Sequence, residues 1–355
     1  MARAAAGPPR VAVVGAGAWG TTLARLIARV EPVLLVCHSP ETAARIAATG
    51  RNETRLPGVD LPASVIPTAD VPRLADATDL VIFAAPSAHL RGVVLGAAPH
   101  LAPDADVLSV VKGLERGSLL RMSEVIADAS GRPPTAVAAL SGPNLAAEIA
   151  RGLPASAVIA ATDPELAQRL VERIARRRFR LYVNHDILGV ELAGALKNIV
   201  AIAAGAADGL GFGDNGKAGL MTRGLAEMMR LGIAVGANPL TFAGLAGIGD
   251  VVATCGSRLS RNHRLGEELA KGRSWVEIEA TLPGTAEGAY TVEAALALAE
   301  RHGTEMPIAR EVHRALFEGK SVQRCLVDLL ARESKDELAD VDAWLDRLGA
   351  RIEAR

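Results

Sequence analysis

Val11-Ala12-Val13-Val14-Gly15-Ala16-Gly17-Ala18-Trp19-Gly20-Thr21 decides the fold of this chain. Its four leading apolar residues read as a buried strand, and Gly15-x-Gly17-x-x-Gly20 follows without a gap. Behind the glycines, Leu23, Leu26, Ile27 and Val30 recur at helical spacing, so the stretch reads strand, turn, helix. Each glycine has a physical task. Gly15 permits the tight turn, Gly17 lets backbone approach a pyrophosphate, and Gly20 lets the helix pack closely on the strand. The pyrophosphate is expected on the helix N-terminus, where unpaired N–H groups and the helix dipole favour an anion. A plain βα turn would also use glycines, but this placement at the head of a domain favours the dinucleotide.

Outward from this stretch, the chain is long enough, at 355 residues, for two domains. Half of it is apolar, and 39 basic residues face 40 acidic ones. That balance gives no reason to expect nucleic acid or an anionic membrane surface as a partner. Aromatic residues make up only 3%, so core volume must come from Leu, Val, Ile and closely packed alanine-rich helices. Six of the basic residues are lysines (Lys112, Lys197, Lys217, Lys271, Lys320 and Lys335), which makes each retained lysine informative. Cys37, Cys255 and Cys325 show no metal-like spacing and read as buried or free thiols in a reducing compartment, with no metal site. Met1–Arg10 contains no apolar secretory core, and Ile199–Ala207 is too short to cross a bilayer. A cytoplasmic protein is expected.

Strands and helices alternate in the first half. Val33–Cys37, Asp79–Ala85, Asp106–Val111, Thr135–Leu140, Ala155–Ala160 and Phe179–Val183 read as strands, and Pro40–Thr49 as a helix. Uniformly apolar strands between helices predict a mostly parallel, doubly wound sheet covered on both faces, a Rossmann domain over residues 8–185. From about Asp186 the strand signals stop. Ile187–Gly205, Gly219–Gly232, Thr241–Thr254, Arg261–Lys271, Val292–His302 and Ile308–Phe317 read as helices, predicting an all-α substrate domain over 186–345. Arg332–Arg355 reads as a solvated terminal helix or a frayed end.

Five segments carry chemistry. Lys197 lies on an apolar helix with small neighbours, Gly194, Ala201 and Gly205, where another element can approach closely. Burial favours a neutral amine able to exchange protons, whereas a lysine reaching out to solvent would do nothing. Asp250, among glycines and apolar residues, is either an N-cap or the orienter of a neighbouring cation. Ser260-Arg261-Asn262 offers a hydroxyl, a forked guanidinium and an amide that suit a phosphate, or else simply begins a capped helix. Lys112-Gly113 and Ser141-Gly142-Pro143-Asn144 end two strands at the edge of the sheet where open α/β folds bind ligands, or are plain turns.

Together these segments closely resemble the bacterial-type NAD(P)-dependent glycerol-3-phosphate dehydrogenases. The matching stretches are GAGAWGT from 15, VVKGLE from 110, SGPNLAAE from 141, GVELAGALKNIVAIAAG from 189, GDN at 213, GLAGIGDVVATC from 244 and SRN at 260. The resemblance implies a dimeric cytoplasmic oxidoreductase that reversibly reduces dihydroxyacetone phosphate to sn-glycerol 3-phosphate for phospholipid synthesis. It implies Lys197 as proton acceptor with Asp250 beside it. Lys112, Gly142, Asn144, Ser260, Arg261 and Asn262 would then join these two in binding substrate. Cofactor contacts would come from Gly15, Gly17, Ala18, Trp19, Gly20, His38, Arg55, Lys112, Ala146, Arg261 and Glu287.

Three departures stand out. Asn144 stands where many relatives have serine, and Ala18 replaces a frequent serine in the glycine turn. The strand at Val33–Cys37 ends in Cys37-His38-Ser39 with no acid until Glu41, whereas an NAD site usually places Asp or Glu there for the ribose 2′-hydroxyl. His38 and Arg55 would not repel a 2′-phosphate, so NADPH is favoured over NADH. Two other functions fit the same outline, a β-hydroxyacid dehydrogenase and a non-catalytic NAD(P) sensor. The Gly249-Asp250 and Ser260–Asn262 segments count against the first, and the retained lysines against the second.

Overall fold

The apolar runs of the first half become strands because each can be buried on both faces. A computed structural model describes residues 8–282 and 284–333. It contains β1 (Val11–Val14), β2 (Val33–Val36), β3 (Val65–Thr68), β4 (Leu80–Phe83), β5 (Asp106–Ser109), β6 (Val137–Ser141), β7 (Ala155–Ala160) and β8 (Phe179–Asn184). They form one sheet in the order β3-β2-β1-β4-β5-β6-β7-β8. All pairs are parallel except β6 with β7. Helices α1 (Ala18–Ile27), α2 (Pro40–Thr49), α3 (Leu90–Ala97), α4 (Met122–Ser130), α5 (Ala146–Ala150) and α6 (Pro164–Ile174) connect the strands.

Alternation along β1 and β2 divides the core in two. Val11, Val13, Val33 and Leu35 pack with Leu23 and Ile27 of α1 and Leu166 and Leu170 of α6. Ala12, Val14, Leu34 and Val36 face Leu90 and Val94 of α3 and Val125 and Ile126 of α4. The result is the doubly wound α/β layering expected of a sheet covered on both sides. The chain leaves β1 toward β2 and β3, then crosses to β4 on the other side, so the ends of β1 and β4 flank the switch point.

Several local readings differ from the structure. Helix α1 ends at Ile27, and Val30, counted on its apolar face, is 73% exposed. Strand β3 gave no signal because Pro67 interrupts a short run at the edge of the sheet. β7 runs antiparallel to β6, and the connection between them carries only the short helix α5.

The strand signals end where α7 (Ile187–Gly209) begins, and everything described beyond it is helical. Here lie α8 (Gly213–Val235), α9 (Pro239–Phe242), α10 (Asp250–Gly256), α11 (Arg261–Ala270), α12 (Trp275–Glu279), α13 (Glu287–Arg301), α14 (Pro307–Phe317) and α15 (Val322–Leu330). Two compact units, Met1–Glu191 and Leu192–Arg355, divide inside α7. Glu191 belongs to the first. Its buried carboxylate accepts from Ser123 N (2.8 Å), Ser123 Oγ (2.6 Å) and Arg121 Nη1 (2.6 Å) at the head of α4. Burial pushes this carboxyl up, against the opposing pull of Arg121.

α7 is longer than its sequence signal, running on through Asp208 to Gly209. It is long and apolar enough to cross a membrane, but 89% of its most apolar stretch is buried within the fold. Glycines let its neighbours approach. A Cβ at Gly205 would stand 1.9 Å from the His263 carbonyl oxygen, and one at Gly266 the same distance from that of Ile202. The run read as one helix over Thr241–Thr254 is broken into α9, a π-helical turn at Leu245–Gly249 and α10. Gly247 is the reason, since a Cβ there would lie 1.9 Å from the Phe242 carbonyl oxygen. Pro239–Gly256 as a whole is likewise long and apolar enough to cross a membrane, with half of its most apolar stretch buried within the fold.

Cys37, Cys255 and Cys325 are free and buried, and burial pushes their thiols up to about 11, 12 and 12. Residues 334–355, the bulk of the segment read as a solvated or frayed end, lie outside the described residues, as do residues 1–7 and the expected domain limit at 345.

Candidate active site

The first group of side chains lies at the carboxyl edge of the sheet. Gly15 has φ +118°, and a Cβ on it would lie 2.8 Å from the carbonyl carbon of Ala84, just past β4. Gly20 is equally constrained, because its Cβ would stand 2.0 Å from the Gly15 carbonyl oxygen. Gly17 differs: a Cβ there would meet nothing within 4 Å. The fold therefore demands the outer two glycines, while the middle one faces open space at the head of α1. No side chain caps that head. Its first N–H groups and dipole are available to an anion.

Around this turn the polar atoms are arranged by residues far apart in sequence. Asn52, buried, donates to Ala16 O (2.9 Å) and Thr21 Oγ1 (2.8 Å) and pins the turn. Thr22 Oγ1 reaches both Ala18 O (2.9 Å) and Ala146 O (3.2 Å), which draws the start of α5 beside the glycines. Trp19 meets Phe179 edge-on with ring centroids 6.0 Å apart. Lys112 Nζ donates to Gly142 O (2.8 Å), joining the loops after β5 and β6. Gly142 has φ +126°, and a Cβ there would press to 3.0 Å on Ala157 Cα.

Of the six described residues in this unit with buried side-chain atoms that lack a hydrogen-bond partner, Arg25 (Nη1) and Arg176 (Nη2) belong to α1 and the α6–β8 connection, and the other four are Trp19 (Nε1), Asn52 (Oδ1), Ser141 (Oγ) and Asn144 (both amide atoms). Buried polar atoms are normally satisfied, so orphans gathered on these loops suit a ligand that brings its own donors and acceptors. A dinucleotide fits this set. His38 and Arg55 are exposed, His38 directly after the buried Cys37 that follows β2. Arg45 on α2 adds a positive charge there, since its field lowers the Cys37 thiol against the larger effect of burial.

The second group belongs to the helical unit. Lys197 on α7 is buried, with its side chain 8% exposed. Its Nζ donates to Thr254 Oγ1 (2.6 Å) and lies 3.0 Å from Asp250 Oδ1. Thr254 in turn donates to Asp250 Oδ1 (3.0 Å). Asp250 thus orients a cation, while Thr254, one turn along α10, closes the triangle. Ser260 caps α11 by accepting from His263 N (3.2 Å), and Arg261 and Asn262 open that helix. A chain of amides follows: Gly288 N to Asn262 Oδ1 (3.0 Å), Asn262 Nδ2 to Asn198 Oδ1 (2.9 Å), and Asn198 Nδ2 to Gly194 O (3.5 Å). It ties α13, which begins at Glu287, and α11 to α7 next to the lysine.

Both units match one family of known proteins. Residues 10–167 match the family model described as NAD-dependent glycerol-3-phosphate dehydrogenase N-terminus, and residues 186–327 match its C-terminus. The chain belongs to the NAD-dependent glycerol-3-phosphate dehydrogenase family. The glycerol-3-phosphate dehydrogenase [NAD(P)+] of Frankia casuarinae is 45% identical over 329 residues, covering 92% of this chain and 98% of that protein. That of Moorella thermoacetica is 45% identical over 333 residues, with 94% and 98% covered. The crystal structure of a glycerol-3-phosphate dehydrogenase from Coxiella burnetii superposes with TM-score 0.86 at 37% identity over 92% of this chain and 99% of that one. A D-mandelate dehydrogenase structure, at 12% identity and TM-score 0.55, shares the fold alone.

Within this family frame, Gly15, Gly17, Ala18, Trp19, Gly20, His38, Arg55, Lys112, Gly142, Asn144 and Ala146 all lie in the sheet unit. Lys197, Asp250, Ser260, Arg261, Asn262 and Glu287 lie in the helical one. Sequence reasoning passed over Thr254, Asn198 and Asn52. Thr254 had a signal, since it stands four residues after Asp250 on one helix face. Asn52 had none, because its partners are contributed by a turn more than thirty residues away.

Proposed function

We propose that this chain is an NAD(P)-dependent glycerol-3-phosphate dehydrogenase. It reduces dihydroxyacetone phosphate to sn-glycerol 3-phosphate and runs the reverse oxidation. The observation that carries this reading is the buried Lys197–Asp250–Thr254 triangle within a chain matched to the family along both units. The dinucleotide, when bound, supplies or accepts the hydride at the substrate's second carbon. Gly17 and the head of α1 would hold its pyrophosphate, and the orphaned amide of Asn144 a further polar group of cofactor or substrate.

This chain's own residues handle the proton and the phosphate. In the reductive direction the Lys197 ammonium polarises the ketone oxygen and delivers a proton as the alkoxide forms. In the oxidative direction the neutral amine accepts the hydroxyl proton. Asp250 stabilises the ammonium, and Thr254, accepting from Nζ, fixes its direction. Arg261, with Ser260 and Asn262, is suited to the substrate phosphate, because guanidinium matches phosphate geometry with paired hydrogen bonds.

His38 and Arg55, with Arg45 nearby and no acid at the end of β2, support NADPH as the favoured cofactor. We also assign the chain a cytoplasmic place, a homodimeric state and a role in supplying glycerol phosphate for phospholipids. Mixing the pure protein with NADPH and dihydroxyacetone phosphate tests the central reading: absorbance at 340 nm should fall only when both are present. No turnover with either cofactor would refute it, and a clear kcat/KM advantage for NADH would refute the cofactor preference.

A further inference from the structure

A second polar cluster lies along α7 from the lysine. Asp208 Oδ2 takes a hydrogen bond from His263 Nε2 at 2.8 Å and another from Lys217 Nζ at 2.8 Å. Burial pushes the Asp208 carboxyl up, but these two partners outweigh it and hold it below the usual carboxylate range. His263 is almost fully buried, and its Nδ1 has no hydrogen-bond partner, with Glu267 Oε2 3.8 Å away. Three helices meet here: Asp208 comes from α7, Lys217 from α8 and His263 from α11.

The cluster sits where α11 needs a lock. α11 crosses α7 through Gly205 and Gly266, backbone against backbone. Glycine-to-backbone contact brings helices close but leaves few side chains to interlock, so packing alone holds their register weakly. Two polar attachments supply what is missing. Asn262 is bonded to Asn198, and the adjacent His263 to Asp208. Asn198 and Asp208 are about 15 Å apart along α7, so neighbouring residues of α11 are tied to the middle and to the C-terminal end of the same helix. Ser260, capping through the His263 N–H, joins the whole Ser260–Asn262 run to that tie.

We propose that Asp208 and His263, steadied by Lys217, form a positioning device that holds the phosphate-recognising start of α11 in register with Lys197. The device rests on the function proposed above. It touches no reacting atom. Its work is to keep Arg261 and Asn262 where a phosphorylated substrate meets them, which makes it a determinant of substrate affinity rather than of proton transfer.

The test compares the H263A and H263Q variants of the full chain. Glutamine can return an N–H near the position of Nε2, whereas alanine cannot. H263A should raise the KM for dihydroxyacetone phosphate about tenfold while kcat and the Kd for NADPH stay within about twofold, and H263Q should recover most of the loss. In parallel, hydrogen exchange of the amides at 260–264, measured without substrate, should quicken in H263A and return toward the parent in H263Q. An unchanged KM in H263A overturns the proposal. So does equal damage to kcat and KM that H263Q fails to repair, since that pattern marks a structural residue only. Exchange is read independently of turnover: if the parent protein does not reduce dihydroxyacetone phosphate but exchange still quickens in H263A, the function falls and the lock on α11 stands.

Discussion

Lys197 is a cation kept inside an alanine-rich helix, and two polar contacts define what it can do. A buried charge is tolerated when it is paired and hydrogen-bonded, and here Asp250 and Thr254 do both. Replacing Lys197 with alanine should therefore lower kcat by about two to four orders of magnitude, the usual worth of a positioned acid–base group. NADPH binding, followed by fluorescence titration, should stay at the parent level. Arg261→Ala should show the opposite split, with KM for the phosphorylated substrate rising about tenfold or more and kcat largely kept. Near-parent kcat in the first variant, or parent KM in the second, would separate that residue from its role. The lysine was legible in the sequence because so few lysines occur and its neighbours are so small. Asn52 was not, because a polar residue in a loop gives no sign that it will be buried against a glycine turn.

Helices add couplings that single residues do not have. Glu227 on α8 is buried and accepts from the free N–H groups of Ile308 (2.6 Å) and Ala309 (3.3 Å) at the head of α14. Burial pushes its carboxyl from an ordinary value near 4.5 up to about 7, more than those backbone donors pull it down. A folded-state value above the unfolded one means that the fold binds this proton more tightly. The stabilising contribution is complete below about pH 4.5 and is lost as pH rises through 7. Thermal unfolding of the E227Q variant should accordingly lose part of the parent's decline between these limits, a linkage of up to about 3 kcal/mol. Identical pH profiles for the two proteins would contradict it. Apolar spacing revealed most helices, including α11 to within one residue. It could not reveal the π-helical turn at Leu245–Gly249, since that break depends on the carbonyl of Phe242 closing on Gly247.

Over the whole chain, the passage from sheet to helices is made by a buried helix and not by a linker. α7 begins under the Glu191–Arg121–Ser123 clamp and continues as the central helix of the second unit. Proteolysis of native proteins concentrates on exposed, weakly bonded backbone. Limited digestion with trypsin should leave residues 187–209 intact, Lys197 included. Early fragments ending at Lys197 would show that α7 opens easily.

What could be read before any contact was known is local chemistry: the period of apolar residues, the spacing of three glycines, the rarity of lysine. These specify a doubly wound sheet followed by helices, because neighbours along the chain decide strand, turn and helix by sterics and burial. The antiparallel β7, the amide chain through Asn262 and the bond from His263 to Asp208 come from another source. The last two join residues 64 and 55 positions apart, so their hydrogen bonds exist only once glycine-faced helices have crossed at backbone distance.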